Sequence, residues 1–205
     1  MSNTHHLSVP FLTSDLELLE IGDLVYLTGE IIVTAGLPTH ERIKEYVETG
    51  RALPMDFRNS MLCQVGCYVE NKKEKIVSRY INPSTSTRFE PFLPQIIEGT
   101  HLKAIGGKGG VGHKTIKAMK ANSCVYLSFI GGASALTSES VKEVLDVEWN
   151  DFIMQFRLIR LRVERLGPLN VGVDTKGNSL YANLQISAEE RLEDLMEELN
   201  RDRQG

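Results

Sequence analysis

A glycine-rich segment is the part of the sequence best suited to bind an anion. It runs from Gly106 to Thr115 between a predicted strand and a predicted helix, and it contains Gly107, Lys108 and Gly109. Glycines allow backbone N–H groups to approach a ligand, a helix start carries partial positive charge, and the lysine adds a full charge. The segment predicts a phosphate or carboxylate site; a tight turn with an exposed lysine is the alternative.

The same segment comes close to a nucleotide-binding P-loop, in which the second of two glycines is followed by Lys and then by Ser or Thr. His113 stands where that lysine belongs, and Lys114 and Thr115 come one residue late. One residue turns a helix by about 100°, so the lysine would be aimed away from the phosphates. The next strand also ends without a magnesium-binding aspartate. Nucleotide binding is therefore disfavoured.

A second polar loop offers four hydroxyl groups and one guanidinium group in six residues. It runs from Pro83 through Ser84 and Thr85 to Arg88. The planar guanidinium group can hold a carboxylate through two hydrogen bonds. Hydroxyl-rich loops also serve purely as turns and helix caps, so the loop by itself leaves both hypotheses open.

His40 is a candidate acid or base because an unperturbed histidine titrates near neutral pH. Thr39 is a plausible N-cap, which would place His40 in the first turn of a helix that ends before Gly50. An ordinary, partly buried histidine is the alternative.

The three cysteines, Cys63, Cys67 and Cys124, are too few and too irregularly spaced for a disulfide framework or a four-ligand zinc site. Cys63 and Cys67 would share one face of a strand, which favours core packing over metal binding. The adjacent His5 and His6 are expected on a frayed terminus without a metal role. We assign no metal ligands and expect a reducing cytosol.

The composition of the 205-residue chain is that of a globular protein, with 41% hydrophobic and 24% charged residues. A net charge of -4 excludes general binders of nucleic acid or anionic membranes, which usually carry a basic excess. The first residues lack the pattern of a signal peptide, and no segment is apolar enough to span a membrane. A cytoplasmic protein is expected.

Strands and helices must position these loops. Apolar and β-branched runs predict strands at 24–28, 30–34, 61–69, 75–81, 102–105, 125–130, 156–163, 170–173 and 179–184. Helices are predicted from 39, around 92–97, at 115–121, through 141–145 and from 187. Polar turns are expected at 70–74 and 174–178.

Residues 102–130 form a βαβ-like unit, and a second small-residue loop, Gly131 to Ala135, follows its last strand. Both loops should emerge at the same edge of a sheet. The fold class is thus α/β with mixed sheets and glycine-rich strand-to-helix loops. The chain is divided into one domain over 1–186 and an appended amphipathic helix over 187–205, which would dock on its own domain or on a partner. Homodimerisation is left open.

Taken together, these segments resemble the β subunit of iron–sulfur tartrate dehydratases and the C-terminal domain of class I fumarases. The resemblance extends from about Gly22 to Tyr181. It is carried by His40, by the stretches 83–88, 107–110 and 131–136, and by the stretch 173–181, in this order and spacing.

The resemblance implies a swivelling β/β/α domain paired with an α subunit that carries a [4Fe–4S] cluster, while this chain binds no cofactor. An open iron vertex there would act as Lewis acid for loss of water from a small hydroxycarboxylate. Ser84 would accept the carbon-bound proton with His40 assisting. Arg88 and Lys108 would clamp carboxylates, supported by Thr85, Gly107 and Gly109.

The chain departs from the family pattern at three positions. Gly36 replaces a motif arginine, Ser84 replaces the catalytic threonine and Asn82 replaces a glycine. These changes leave open which hydroxy acid is the substrate, fumarate, malate and tartrate types included. They also leave a rival hypothesis, a non-catalytic anion-binding or regulatory subunit descended from the same family.

Overall fold

The computed structural model describes residues 2–72 and 75–203, which form a mixed α/β domain with a long C-terminal helix. Its strands are β1 (Thr4–Val9), β2 (Leu24–Val33), β3 (Met61–Cys63), β4 (Val65–Lys72), β5 (Lys75–Pro83), β6 (Ala104–Gly107), β7 (Val125–Ser128), β8 (Val141–Glu148) and β9 (Leu158–Val173). Its helices are α1 (Thr13–Leu16), α2 (Leu37–Glu48), α3 (Leu93–Thr100), α4 (His113–Ala121), α5 (Ser134–Glu139) and α6 (Leu180–Asp202). Short 3₁₀ turns lie at Ser86–Phe89 and Met154–Phe156.

Seven strands form one sheet in the order β1-β2-β3-β6-β7-β9-β8, and β4 and β5 form a separate hairpin. Strands β2, β3, β6 and β7 run parallel to one another. The long antiparallel strand β9 pairs with β7 and also with β2, which closes the sheet on itself. The carboxyl ends of β2, β3, β6 and β7 therefore meet at one edge.

Side chains along the strands point alternately to the two faces of the sheet, and each face contributes to one apolar core. Leu27, Ile31 and Leu127 belong to the core enclosed by the closed sheet. Ile43 and Phe89 belong to the second core, which lies between the outer face of the sheet and helices α2, α3 and α4. Both cores reach the shared edge, so the loops there rest on packed side chains.

Two predicted strand pairs are single strands. The predicted strands 24–28 and 30–34 are one strand, β2, because Gly29 continues it at φ +133° while passing close to the backbone of Val9. A Cβ at Gly29 would lie 2.3 Å from the Val9 carbonyl oxygen. The predicted strands 156–163 and 170–173 likewise join into the bulged strand β9.

The predicted strand 61–69 is divided at Gln64. Its first part is β3 in the main sheet, and its second part is β4, which pairs with β5 as the predicted hairpin does. The predicted turn at 70–74 was too long, because residues 70–72 continue β4. Lys73 and Glu74 lie outside the described residues.

Three further elements were assigned wrongly. The predicted helix through 141–145 is strand β8, since its short apolar run fits both periodicities. The predicted strand 179–184 is helical, so α6 begins at Leu180 and not at Ser187. The supposedly frayed start is strand β1, and the Nε2 atom of His5 lies 2.9 Å from the Asp23 carboxylate.

The βαβ unit is confirmed as β6, α4 and β7, and its two loops leave neighbouring parallel strands. In the described part of the chain no helix is both long enough and apolar enough to cross a bilayer.

Candidate active site

The hydroxyl loop and the glycine loop are joined by backbone hydrogen bonds at the shared edge. The Lys108 N–H group donates to the Ser84 carbonyl oxygen at 3.0 Å, and the Ser86 N–H group donates to the Lys108 carbonyl oxygen at 2.8 Å. Thr85 and Lys108 form a parallel β-bridge. The Ser84 N–H group donates in turn to the Gln64 carbonyl oxygen at 2.7 Å. Five predicted site residues thus share one scaffold: Ser84, Thr85, Gly107, Lys108 and Gly109.

Close packing explains why this scaffold contains glycines. A Cβ at Gly107 would lie 2.1 Å from Ser86 Oγ and 2.9 Å from Gln64 Oε1. Gly109 adopts φ +78° beside Thr85, and Gly110 adopts φ +75° against the ring of Tyr181. Larger residues would push the two loops apart.

The second small-residue loop lies beside the same site. A Cβ at Gly131 would lie 3.9 Å from Lys108 Cδ, and the Ser134 hydroxyl donates to Asn82 Oδ1 at 2.8 Å. Three loops therefore surround the Lys108 stem. The sequence predicted the common edge for two of them, the glycine loop and the small-residue loop.

The two predicted clamp cations are available for a ligand. Arg88 is exposed and Lys108 is half-buried. Within residues 2–72 and 75–203, no carboxylate forms an ion pair with either side chain. The Arg88 Nε–H group makes only a long contact of 3.5 Å to the Thr85 carbonyl oxygen. Both charges can therefore be neutralised by an anion from outside the chain.

The start of α4 is not available to a ligand, contrary to the sequence-based expectation. The Glu90 carboxylate accepts hydrogen bonds from the Gly112 N–H group at 2.8 Å, from the Thr115 N–H group at 3.1 Å and from the Thr115 hydroxyl at 2.7 Å. These donors and the helix dipole are thus satisfied internally. The anion-binding part of the glycine loop is restricted to its first residues, around Lys108.

Replacing Glu90 with Ala should lower the free energy of unfolding by about 2 kcal/mol, because three hydrogen bonds to a charged acceptor are lost and a helix start is left uncapped. Urea unfolding at pH 7 measures the change. Glu98→Ala is the matched control, since Glu98 is exposed on α3 and should change stability little. Equal stability of the two variants would contradict the capping role.

His40 is fully buried on α2, which starts at Leu37 with Gly36 as its N-cap, so the proposed N-cap Thr39 lies inside the helix. The His40 ring packs on Phe89 with 4.1 Å between centroids, and Nδ1 lies 2.7 Å from the Gly36 carbonyl oxygen. Burial lowers the pKa of His40 to about 4, although the Gly36 carbonyl opposes the shift. His40 is therefore neutral at pH 7, with Nδ1 as donor and Nε2 as a free acceptor.

The depressed pKa makes His40 a source of acid sensitivity. An unfolded histidine titrates near 6.5, so its stabilising effect is complete above that pH and is lost as the pH falls towards 4, for a total of about 3 kcal/mol. The loss of stability between pH 7 and pH 4, measured by urea unfolding, should be smaller in His40→Leu by that amount. The exposed His113→Gln control should behave as the wild type, and an unchanged pH dependence in His40→Leu would refute the assignment.

Gln64 is a site residue that the sequence did not reveal. Its side chain is fully buried, and neither Nε2 nor Oε1 has a hydrogen-bond partner among the described residues. The Nε2 atom of His40 is likewise buried without a hydrogen-bond partner among the described residues. Gln64 Oε1 lies beside Gly107, and the backbone carbonyl oxygen of Gln64 accepts from the Ser84 N–H group. Gln64 lies in an apolar run between β3 and β4, so the sequence pattern gives no sign that it belongs to the site.

The cysteines are core residues. Cys63 and Cys124 are fully buried and Cys67 nearly so, and burial raises the pKa of each thiol, that of Cys67 to about 11. In the described ranges no three His, Cys, Asp or Glu side chains are grouped as metal ligands.

The fold and the site define an α/β domain in which the glycine loop after parallel strand β6 is hydrogen-bonded to the hydroxyl loop after β5. The chain belongs to the family described as "Fumarase C-terminus", whose model matches residues 3–184.

Three relatives illustrate the similarity. The L(+)-tartrate dehydratase subunit beta of Escherichia coli K12 is 31% identical over 94% of each chain. A Methanocaldococcus jannaschii protein assigned by name to the same subunit is 34% identical over 89% of this chain and 93% of its own length. A Geobacillus stearothermophilus protein assigned by name to class I fumarate hydratases is 28% identical over 93% of this chain and 36% of its own length.

Proposed function

We propose that this chain is the β subunit of an Fe–S-dependent hydro-lyase that reversibly dehydrates a small hydroxycarboxylic acid of the malate or tartrate type. The family membership and the names of the relatives support the reaction class. The observation that carries the proposal is the hydrogen-bonded scaffold that holds Ser84 beside Lys108. The active site is completed by an α subunit, on which this swivelling domain closes.

Dehydration removes a proton from one carbon and a hydroxyl group from its neighbour. In the proposal, the Ser84 oxygen accepts the proton, the C–H electron pair forms the double bond, and the hydroxyl group leaves with the electrons of the C–O bond. A serine hydroxyl is a weak base, and nearby positive charge favours its ionised form. Arg88 and Lys108 supply that charge.

The same two cations orient the substrate. A carboxylate held between a guanidinium and an ammonium group has little freedom to rotate, which brings the reacting C–H bond towards Ser84. The Thr85 bridge to Lys108 and the close-packed Gly107 and Gly109 keep the loops in place. Neutral His40 assists as a hydrogen-bond acceptor through Nε2.

The [4Fe–4S] cluster that such enzymes use does not fit this chain. Cluster ligands are cysteine thiolates, whereas the three thiols here are buried and their pKa values are raised. The proposal therefore assigns the cluster to the α subunit and gives this chain substrate binding and proton transfer.

One observation favours the alternative of a non-catalytic, anion-binding regulatory subunit. Gly36 occupies the place of a family arginine, and the structure leaves no room for a side chain there. A Cβ at Gly36 would lie 2.3 Å from Thr39 Oγ1 and 2.7 Å from Phe156 Cβ. In this alternative, local packing replaces the arginine that would contact one end of the substrate. The loss of that contact also suits a substrate acid with fewer polar groups.

Anaerobic co-expression with a cluster-bearing α subunit tests the proposal. Formation of unsaturated acid is followed by absorbance across a panel of hydroxy acids. Turnover that needs both chains is expected, and the panel identifies the substrate. A stable complex that holds the cluster but turns over no acid would favour the regulatory alternative, and turnover by this chain alone would contradict both.

A further inference from the structure

The second half of α6 is an amphipathic helix that leaves the body of the domain. Its first turn is anchored, because the Ser179 side chain accepts a hydrogen bond from the Ala182 N–H group at 3.2 Å and the Tyr181 hydroxyl lies 2.6 Å from Ser128 Oγ. Beyond that turn the side chains of α6 that the structure describes are all exposed. The match to the family model ends at residue 184, near the point where the helix leaves the domain.

The exposed helix carries an apolar stripe, which we call the α6 stripe. At 100° per residue its members fall within about a third of the helix circumference. They are Leu184, Ala188, Leu192, Leu195, Met196 and Leu199. Leu192 is 57% exposed and Leu199 is 49% exposed. Most of the stability of a helix in a protein comes from packing of its apolar face, and among the described residues nothing covers the α6 stripe.

We propose that the α6 stripe pairs with the α6 stripe of a second copy of this chain in an antiparallel two-helix contact. Ala188, Leu192, Leu195 and Leu199 are spaced by four, three and four residues, the spacing of a coiled-coil seam. In the antiparallel register, Leu192 packs against Leu195 of the second copy and Leu199 packs against its Ala188.

The charges beside the seam select this partner and this direction. Arg191 and Glu198 each come directly before a seam leucine, so antiparallel pairing places Arg191 opposite Glu198 of the second copy, twice by symmetry. Arg201 and Arg203 lie at the end of the helix, whereas Glu189 and Glu190 lie nearer its start. Antiparallel helices bring these unlike ends together, and parallel helices would bring like ends together.

Charge exchange tests the pairing in the complete 205-residue chain. Sedimentation equilibrium should show a dimer for the wild type. Arg191→Glu alone would oppose two glutamates to two glutamates, and Glu198→Arg alone would oppose arginines to arginines. Each should weaken the dimer about tenfold. Mixing the two variants restores both ion pairs, so the mixture should form a heterodimer about as tight as the wild type.

A second variant separates helix pairing from damage to the domain. Leu192→Glu should make the chain monomeric. The free energy of unfolding of the domain, followed by Trp149 fluorescence, should not change. The proposal would be overturned if the wild-type chain were monomeric at about 200 µM, which is far above a micromolar dissociation constant. It would also be overturned if the mixed variants dimerised no more tightly than either variant alone. A Leu192→Glu variant that changes only the co-purification with the α subunit would overturn it as well.

Discussion

Replacing Lys108 with Ala should lower kcat/KM of the two-chain enzyme by about 10²–10³-fold. The ammonium group lies where three loops meet and has no carboxylate partner among the described residues. A preorganised donor that meets charge in the transition state typically contributes that much. The backbone of residue 108 makes the hydrogen bonds that fix Ser84, so the loop should stay in place without the side chain. Steady-state kinetics on the acid identified by the panel measures the change.

Lys114→Ala is the matched control for Lys108→Ala. Lys114 carries the same charge, is six residues away and is exposed beyond the Glu90 cap. It should retain kcat/KM within about twofold, since the charge is surface-exposed and screened. The control also addresses the rejected P-loop hypothesis, in which Lys114 would bind phosphates. Equal losses in both variants would indicate a general charge effect and would refute the clamp.

Local patterns were sufficient to predict that the glycine loop and the small-residue loop lie side by side. The glycine loop and the small-residue loop follow two strands of a βαβ unit, and parallel strands end at the same edge of a sheet. That rule alone places Lys108 beside Gly131. The hydrogen bonds between the Ser84 loop and Lys108 link segments that no sequence pattern connects, and they were accessible only through the family resemblance.

The cap on α4 shows what sequence patterns omit. Glu90 lies 22 residues before Gly112, and an acidic residue at that distance carries no capping signature. The glycine loop was therefore assigned a ligand-binding helix start that the protein has already filled. Gln64 was missed for a related reason, since a polar residue in an apolar run indicates a site only when its unpaired atoms are seen.

Errors in the elements came from ambiguous or interrupted periodicity. Val141, Val144 and Leu145 fit one helical face, yet the segment pairs with β9 as a strand. A glycine such as Gly29 often marks the end of a strand. Here the absence of a Cβ lets β2 pass close to the backbone of Val9 and continue. Such choices depend on pairing with distant strands, which local propensity does not encode.

Replacing Ser84 with Ala should lower kcat by about 10²–10⁴-fold, the usual contribution of a positioned proton-transfer group. KM should change little, because Arg88 and Lys108 remain and the Ser84 backbone bonds do not involve the side chain. Ser84→Thr keeps the hydroxyl and restores the residue of the family motif, so it should retain activity within about tenfold.

Thr87→Ala provides the control for Ser84→Ala, because Thr87 is an exposed hydroxyl in the same loop and should leave kcat unchanged. The division between kcat and KM is the decisive result. A loss confined to kcat in Ser84→Ala, together with activity in Ser84→Thr, assigns the proton to the hydroxyl. A rise in KM in both variants would instead indicate that residue 84 shapes the loop, and full kcat in Ser84→Ala would move the base to another residue.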